Sequence, residues 1–240
     1  MPEIVDKKWD SDFFGFITGE LHFSGNKEEF NQMLRIASEN NYRLLYWKIP
    51  TSNEANNRLA AAENLFLGDT KMVYQIPAVA NLSPEIKQQV HSWNQPPNEQ
   101  LISLGITSGE FSRFKTDPKM PNGIFEKMYT EWVKQSVQGT MGNGIYYIGN
   151  ETLIKGFVTL QFHPDYAEIG LIAVHENYRK QNIASNLIHF AAYIAYSHNL
   201  KNVHVATQLA NIPANNLYTK CGGTIISSEN IFHIWFVSFF

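Results

Sequence analysis

The stretch "ENYRKQNIASNLIHFAAYIA", Glu176 to Ala195, holds the clearest structural signal in the chain. Ile183, Leu187, Phe190, Ala191 and Ile194 recur at helical spacing, so a helix starts near Ile183 with one face in a core. A helix N-terminus carries unpaired N–H groups and the positive end of the macrodipole, and its first turn ordinarily attracts Asp or Glu. Here Arg179 and Lys180 come first, followed by Gln181 and Asn182. Three sources of positive potential meet at one place, after the strand-like "AEIGLIAV". The arrangement predicts a cradle for a phosphate or pyrophosphate. It is neither a P-loop nor a GxGxxG turn. Charge placement alone also fits two solvated turn residues.

Any such anion site must be local. The 240 residues carry 19 Lys and Arg against 22 Asp and Glu, a net charge of −3, which gives no global argument for nucleic acid or an anionic membrane. Sixteen Phe, eleven Tyr and five Trp predict a well-filled interior. There is one cysteine, Cys221, and no His-x-x-x-His pair, so neither disulfides nor a metal site are expected. With no apolar leader and no run of membrane-spanning length, the chain reads as soluble and cytoplasmic, with no membrane association.

Along the chain, two mixed α/β halves are expected. "FITGELHF", "YRLLYWKIP" and "KMVYQIP" read as strands, and "KEEFNQMLRIASEN" and "NEANNRLAAAENL" as helices. A Pro-, Asn- and Gln-rich stretch near Pro77 to Glu99 suggests a boundary, giving an accessory half over 1–95 and a second domain over 96–240. The second half is expected to open with a strand, "LISLGIT", then a polar "SGEFSRFKTDPKMPNG" segment and a helix over Ile124 to Val137. The strands "GIYYIG", "TLIKGFVTLQF" and "AEIGLIAV" follow, then the opening helix, "NVHVAT", a short helix "PANNLYTK", and two closing strands, "TIIS" and "FHIWFVSF".

A second signal, "NIPANNLYTKCGG", comes after "NVHVAT". Ala214, Leu217 and Cys221 fall on one helix face and read as core, with Tyr218 beside them and partly buried. Together the two segments resemble the Gcn5-related N-acetyltransferase (GNAT) family. Its acyl-CoA signature, Arg/Gln-x-x-Gly-x-Gly/Ala, is matched by Arg179, Lys180, Gln181, Asn182, Ile183 and Ala184, with Asn182 where the pattern has Gly. The later Asn-x-x-Ala-x-x-Leu-Tyr pattern is matched by Asn211, Ala214, Leu217 and Tyr218. The resemblance implies the family's α/β fold, a mostly antiparallel twisted sheet flanked by helices, and acetyl-CoA as co-substrate. It implies that Leu171, Ile172, Ala173 and Val174 pair with the pantetheine arm, and that the turn from Gln181 to Ser185 holds the pyrophosphate. Asn211 would steady the pantetheine and Tyr218 would protonate the departing thiolate. Asn tolerates the left-handed conformation best after Gly, so Asn182 can substitute there.

For the acceptor, "WDSDFFGF" from Trp9 and the stretch from Phe111 to Val137 resemble N-acetyltransferases of nucleotide-linked aminosugars, such as those acting on TDP-fucosamine. That resemblance implies a small-molecule aminosugar nucleotide as partner, met by Arg113 and Lys115 at its diphosphate and by Phe114 in an aromatic pocket with Tyr129 and Trp132. Core packing is the competing reading for these rings. Glu168 reads as an exposed strand carboxylate rather than a base. The CoA motif alone also admits another amine, on a polypeptide N-terminus or an antibiotic, and a non-catalytic acyl-CoA-binding module. A homodimer is compatible with all of these.

Overall fold

The computed structural model describes residues 2–236. In chain order the first elements are β1 (Glu3–Asp6), α1 (Lys8–Phe14), β2 (Thr18–His22), α2 (Lys27–Glu39), β3 (Leu44–Pro50), α3 (Glu54–Ala62) and β4 (Phe66–Pro77). The middle holds α4 (Pro84–Gln89), β5 (Val90–Ser92), α5 (Glu99–Ser108), α6 (Arg113–Thr116) and α7 (Ile124–Gln138). Then come β6 (Gly144–Asn150), β7 (Leu153–Phe162), β8 (Ala167–Val174), a 3₁₀ turn (Glu176–Tyr178), α8 (Ile183–Ser197), β9 (Asn202–Gln208), α9 (Ile212–Lys220) and β10 (Thr224–Trp235).

These elements form two compact units. The first takes the chain up to Lys71, Ser112–Pro121, and the chain from Ser227. Its strands run in the order β1-β2-β3-β10-β4, with β2 parallel to β3 and β10 antiparallel to it. The core centres on Trp47, Phe30, Leu45 and Leu21, where Trp47 and Phe30 stack at 4.9 Å. Helix α2 is fixed at its start by Asn26 and Glu29, each capping the other's backbone N–H.

The second unit holds Met72–Phe111 and Asn122–Ile226. Its strand order is β4-β9-β8-β7-β6-β5, antiparallel from β5 to β8 and parallel between β8 and β9. Helix α8 lays Ile183, Leu187, Ile188, Ala191, Ala192 and Ala195 into the core, a stripe displaced by one position from the expected one, with Phe190 and Ile194 at its margin.

Three expectations are corrected. "LISLGIT" is helical, part of α5: Asn98 accepts the Leu101 N–H, and Leu101, Leu104 and Gly105 share one buried face, so cap and spacing outweigh β-branched content. The polar segment contains the short helix α6, capped by Ser112. "TIIS" and "FHIWFVSF" join in one strand, β10; residues 237–239 of the second lie outside the described residues. In the first unit β10 pairs with β3, and Ser112–Pro121 belongs to the same unit. Among the described residues, no helix is long and apolar enough to cross a membrane.

Candidate active site

The parallel ladder between β8 and β9 is short. It pairs Ala167 with Val203, Glu168 with His204 and Ile169 with Val205, and no further pair is formed among the described residues. From Gly170 onward β8 runs without β9 beside it, while its other edge stays on β7 as far as Val174 opposite Gly156. That other ladder is bulged, since Val158 faces Ile172 but Leu160 faces Ile169. The Leu171 N–H donates to Thr159 Oγ1 at 2.8 Å, and the His175 N–H to the Lys155 carbonyl at 2.9 Å, both toward β7. Peptide groups alternate along a strand, so those of Ile172 and Val174 face the side on which β9 no longer pairs. By the same alternation Leu171 and Ala173 turn to β7.

The turn after β8 is tightly folded. The Asn177 N–H donates to His175 Nδ1, Arg179 is extended, and Lys180 and Asn182 are both left-handed, with φ of 62° and 61°. Asn182, where the family pattern has Gly, is thus in the conformation that Gly adopts most readily. Its side chain does not cap α8, which leaves the N–H groups of Ile183, Ala184 and Ser185 without helical acceptors. Gly156 makes room for this helix start, because a Cβ there would sit 2.8 Å from Ile183 Cγ2. Arg179 reaches back toward the Val174 carbonyl at 3.5 Å and lines a cleft of about 320 Å³ with Ser103, Thr107 and Glu110. Gln181 turns toward the Asn177 carbonyl, also at 3.5 Å. A β-branched residue resists positive φ, so Asn182→Val should lower stability by about 1–3 kcal/mol, or roughly 2–4 °C in Tm per kcal/mol. Asn182→Gly should melt at or above the wild-type temperature. Equal melting of the Val variant and the wild type would contradict this.

On α9, Asn211 is the N-cap, its side-chain oxygen accepting the Ala214 N–H at 3.3 Å, so only its amide NH₂ is free of that duty. Tyr218 is more deeply set than its sequence context suggests, at 3 % exposure, with its ring 5.5 Å from that of Tyr74. Burial pushes its phenol well above the ordinary value, and Cys221 and Tyr74 add to the shift. Cys221 lies beside the Ser185 hydroxyl in the first turn of α8, and burial raises its thiol too. Asn215 was not singled out by sequence, yet it ties the element together. It accepts from the Tyr74 hydroxyl at 2.9 Å and donates to the carbonyls of Gln208 and Asn211.

Arg113, Phe114 and Lys115 form α6 in the first unit. Phe114 is buried, and the Arg113 guanidinium lies over its ring at 4.2 Å and over Tyr46 at 5.2 Å; Lys115 is exposed. Asp117 anchors the segment, accepting from His233 Nδ1 at 2.6 Å and Trp235 Nε1 at 2.7 Å. Burial acts to raise the Asp117 pKa, but these bonds and the Lys119 N–H outweigh it and hold it low; burial pushes His233 below its ordinary value. Among the described residues, Arg113 Nε and His233 Nε2 are buried without a hydrogen-bond partner. In the second unit Tyr129 and Trp132 pack edge to face on α7, 4.7 Å apart. Glu168 is partly exposed and bonds His163 at 2.8 Å. No group of three or more His, Cys, Asp or Glu among the described residues is placed to hold a metal ion.

Residues 110–223 match the model of the Acetyltransferase (GNAT) family. The chain is 43 % identical over 61 residues to streptothricin acetyltransferase of Escherichia coli, covering 25 % of this chain and 35 % of that protein. It is 26 % identical over 137 residues to the spore coat polysaccharide biosynthesis protein SpsD of Bacillus subtilis (strain 168), covering 57 % and 47 %. The matches thus span about half or less of these curated relatives. A GCN5-related N-acetyltransferase from Sphaerobacter thermophilus shares the fold with a TM-score of 0.61 at 13 % identity, over 98 % of this chain and 76 % of that one. A tandem GNAT protein from the clavulanic acid biosynthesis pathway gives 0.54 at 13 % identity, over 91 % and 75 %. By family model over residues 110–223 and by fold over nearly its whole length, the chain carries the GNAT acetyltransferase fold.

Proposed function

We propose that this protein is an acetyl-CoA-dependent N-acetyltransferase acting on the amine of a nucleotide-linked amino-deoxysugar. The observation that carries the reading is the end of β8–β9 pairing at Ile169, beyond which the Ile172 and Val174 peptide groups turn away from β7, shortly before the start of α8, which no side chain caps. A pantetheine arm is an extended chain with two amides, and such a chain completes an open strand edge. Its pyrophosphate then meets the N–H groups of Gln181 to Ser185, where the dipole favours an anion.

In this reading the Ile172 N–H polarises the thioester carbonyl, the neutral acceptor amine attacks its carbon, and the C–S bond breaks. Tyr218 gives its phenolic proton to the leaving sulfur, the proton lost by the amine passes to water, and water returns a proton to the Tyr218 phenolate. Asn211 steadies the arm through its amide NH₂. Residues 96–240 supply the acetyltransferase domain of this proposal and 1–95 an accessory half.

The sugar nucleotide is supported by the likeness to a polysaccharide biosynthesis protein over 137 residues. Arg113 would meet its diphosphate, with Phe114 and Lys115 beside it. Arg113→Ala should raise the sugar-nucleotide KM about five- to tenfold and leave that for acetyl-CoA nearly unchanged, whereas equal losses for both would mark a structural role. A second reading, transfer to an antibiotic amine, is favoured by the 43 % identity to streptothricin acetyltransferase. Thiol release from acetyl-CoA with a panel of amines tests the proposal. Release with TDP-4-amino or TDP-3-amino sugars supports it, release with streptothricin alone supports the second reading, and release with no amine contradicts both.

A further inference from the structure

The pairing of β8 with β9 ends beside an irregularity in the ladder on the other edge of β8. Between Leu160↔Ile169 and Val158↔Ile172, β7 advances two residues while β8 advances three. One extra residue in β8 leaves a backbone N–H that the ladder cannot pair, a general property of β-bulges. That group is the Leu171 N–H, and it is met by a side chain, Thr159 Oγ1, at 2.8 Å. Thr159 is only 2 % exposed and Leu171 7 %, so no solvent substitutes for this bond. The neighbouring Gly170 allows the close approach, since a Cβ there would lie 3.0 Å from the same oxygen. The last β8–β9 pair, Ile169 with Val205, falls one residue before Gly170. Bulge and parting of the strands therefore coincide.

We propose that Thr159 is a positioning residue for acetyl transfer, its hydroxyl fixing the β8 bulge so that the Ile172 peptide, and not its neighbours', faces the side on which β9 no longer pairs. This role rests on the reading of that side as the thioester site. Alternation along the strand gives it force. With Leu171 and His175 tied to β7, Ile172 and Val174 must face the other way. Without the hydroxyl, the Leu171 N–H must find a backbone acceptor on β7, and the bulge can slide by one residue. A slip of one exchanges the inward and outward sets. Thr159 touches neither the acceptor nor the leaving group in this account, and it acts through the backbone of Leu171.

Two variants separate hydroxyl from shape. Thr159→Val keeps the branched outline and removes the acceptor, and Thr159→Ser keeps the acceptor and removes the methyl. For each, calorimetry gives acetyl-CoA affinity, steady-state kinetics give KM for both substrates, and NMR gives hydrogen exchange at Leu171. The Val variant is expected to exchange faster at Leu171 and to lose about fivefold in kcat/KM for acetyl-CoA, with the acceptor KM unchanged. The Ser variant should return to within about twofold of wild type. Wild-type exchange and kinetics in Thr159→Val, or equal impairment in Thr159→Ser, would overturn the role while leaving the acetyl-CoA reading intact. Failure of the wild-type protein to bind acetyl-CoA overturns that reading and this role together.

Discussion

Tyr218→Phe is expected to lower kcat by about 10² to 10⁴, the range typical of lost general acid catalysis, with acetyl-CoA affinity little changed. The substitution keeps the ring that packs against Tyr74 and removes only the hydroxyl. Because burial raises the Tyr218 pKa above its ordinary value of 10.0, the phenol stays protonated through and beyond neutral pH. Deprotonation of this acid therefore sets no alkaline limb in the kcat profile of the wild type below about pH 10. Kinetics on the folded variant, with binding measured separately, decide the matter. A kcat within about threefold of wild type, where chemistry limits turnover, would reduce Tyr218 to a packing residue.

Replacing Arg179 and Lys180 together by Glu should weaken acetyl-CoA binding at least about tenfold. Two positive charges next to the uncapped start of α8 become two negative ones, facing a ligand that carries several phosphate charges. Both side chains are exposed, so the loss should shrink as salt is added. Neither residue lies in the core of the second unit, and the melting temperature should change little. Calorimetry at low and moderate ionic strength measures the effect, and an unchanged Kd at low salt would remove the turn from the CoA site.

The turn and helix from Arg179 to Ala195 were legible because apolar spacing and the oddly placed cations are both written in the sequence. So was the left-handed Asn182, once aligned with a pattern that has Gly there. The left-handed Lys180 was not, as nothing in a lysine announces positive φ. Helix α5 was misread as a strand because "LISLGIT" is rich in residues suited to either, and its Asn98 cap decided the outcome. The bulge does have a trace in the sequence: Gly170 inside the otherwise apolar "AEIGLIAV" marks a bulge or a close approach. Its partner Thr159 could not be read, since one threonine in a strand looks like any other until the register is known. The joining of Arg113, Asp117 and His233 in the first unit depends on pairing between β3 and β10, far apart in sequence.

A crystal structure of the protein with bound CoA tests the central claim most directly. The pantetheine is expected along β8 with its amides on the Ile172 and Val174 peptide groups, and the pyrophosphate on the N–H groups of Gln181 to Ser185. CoA seated elsewhere, with the Ile172 peptide unengaged and the start of α8 free of phosphate, would contradict it.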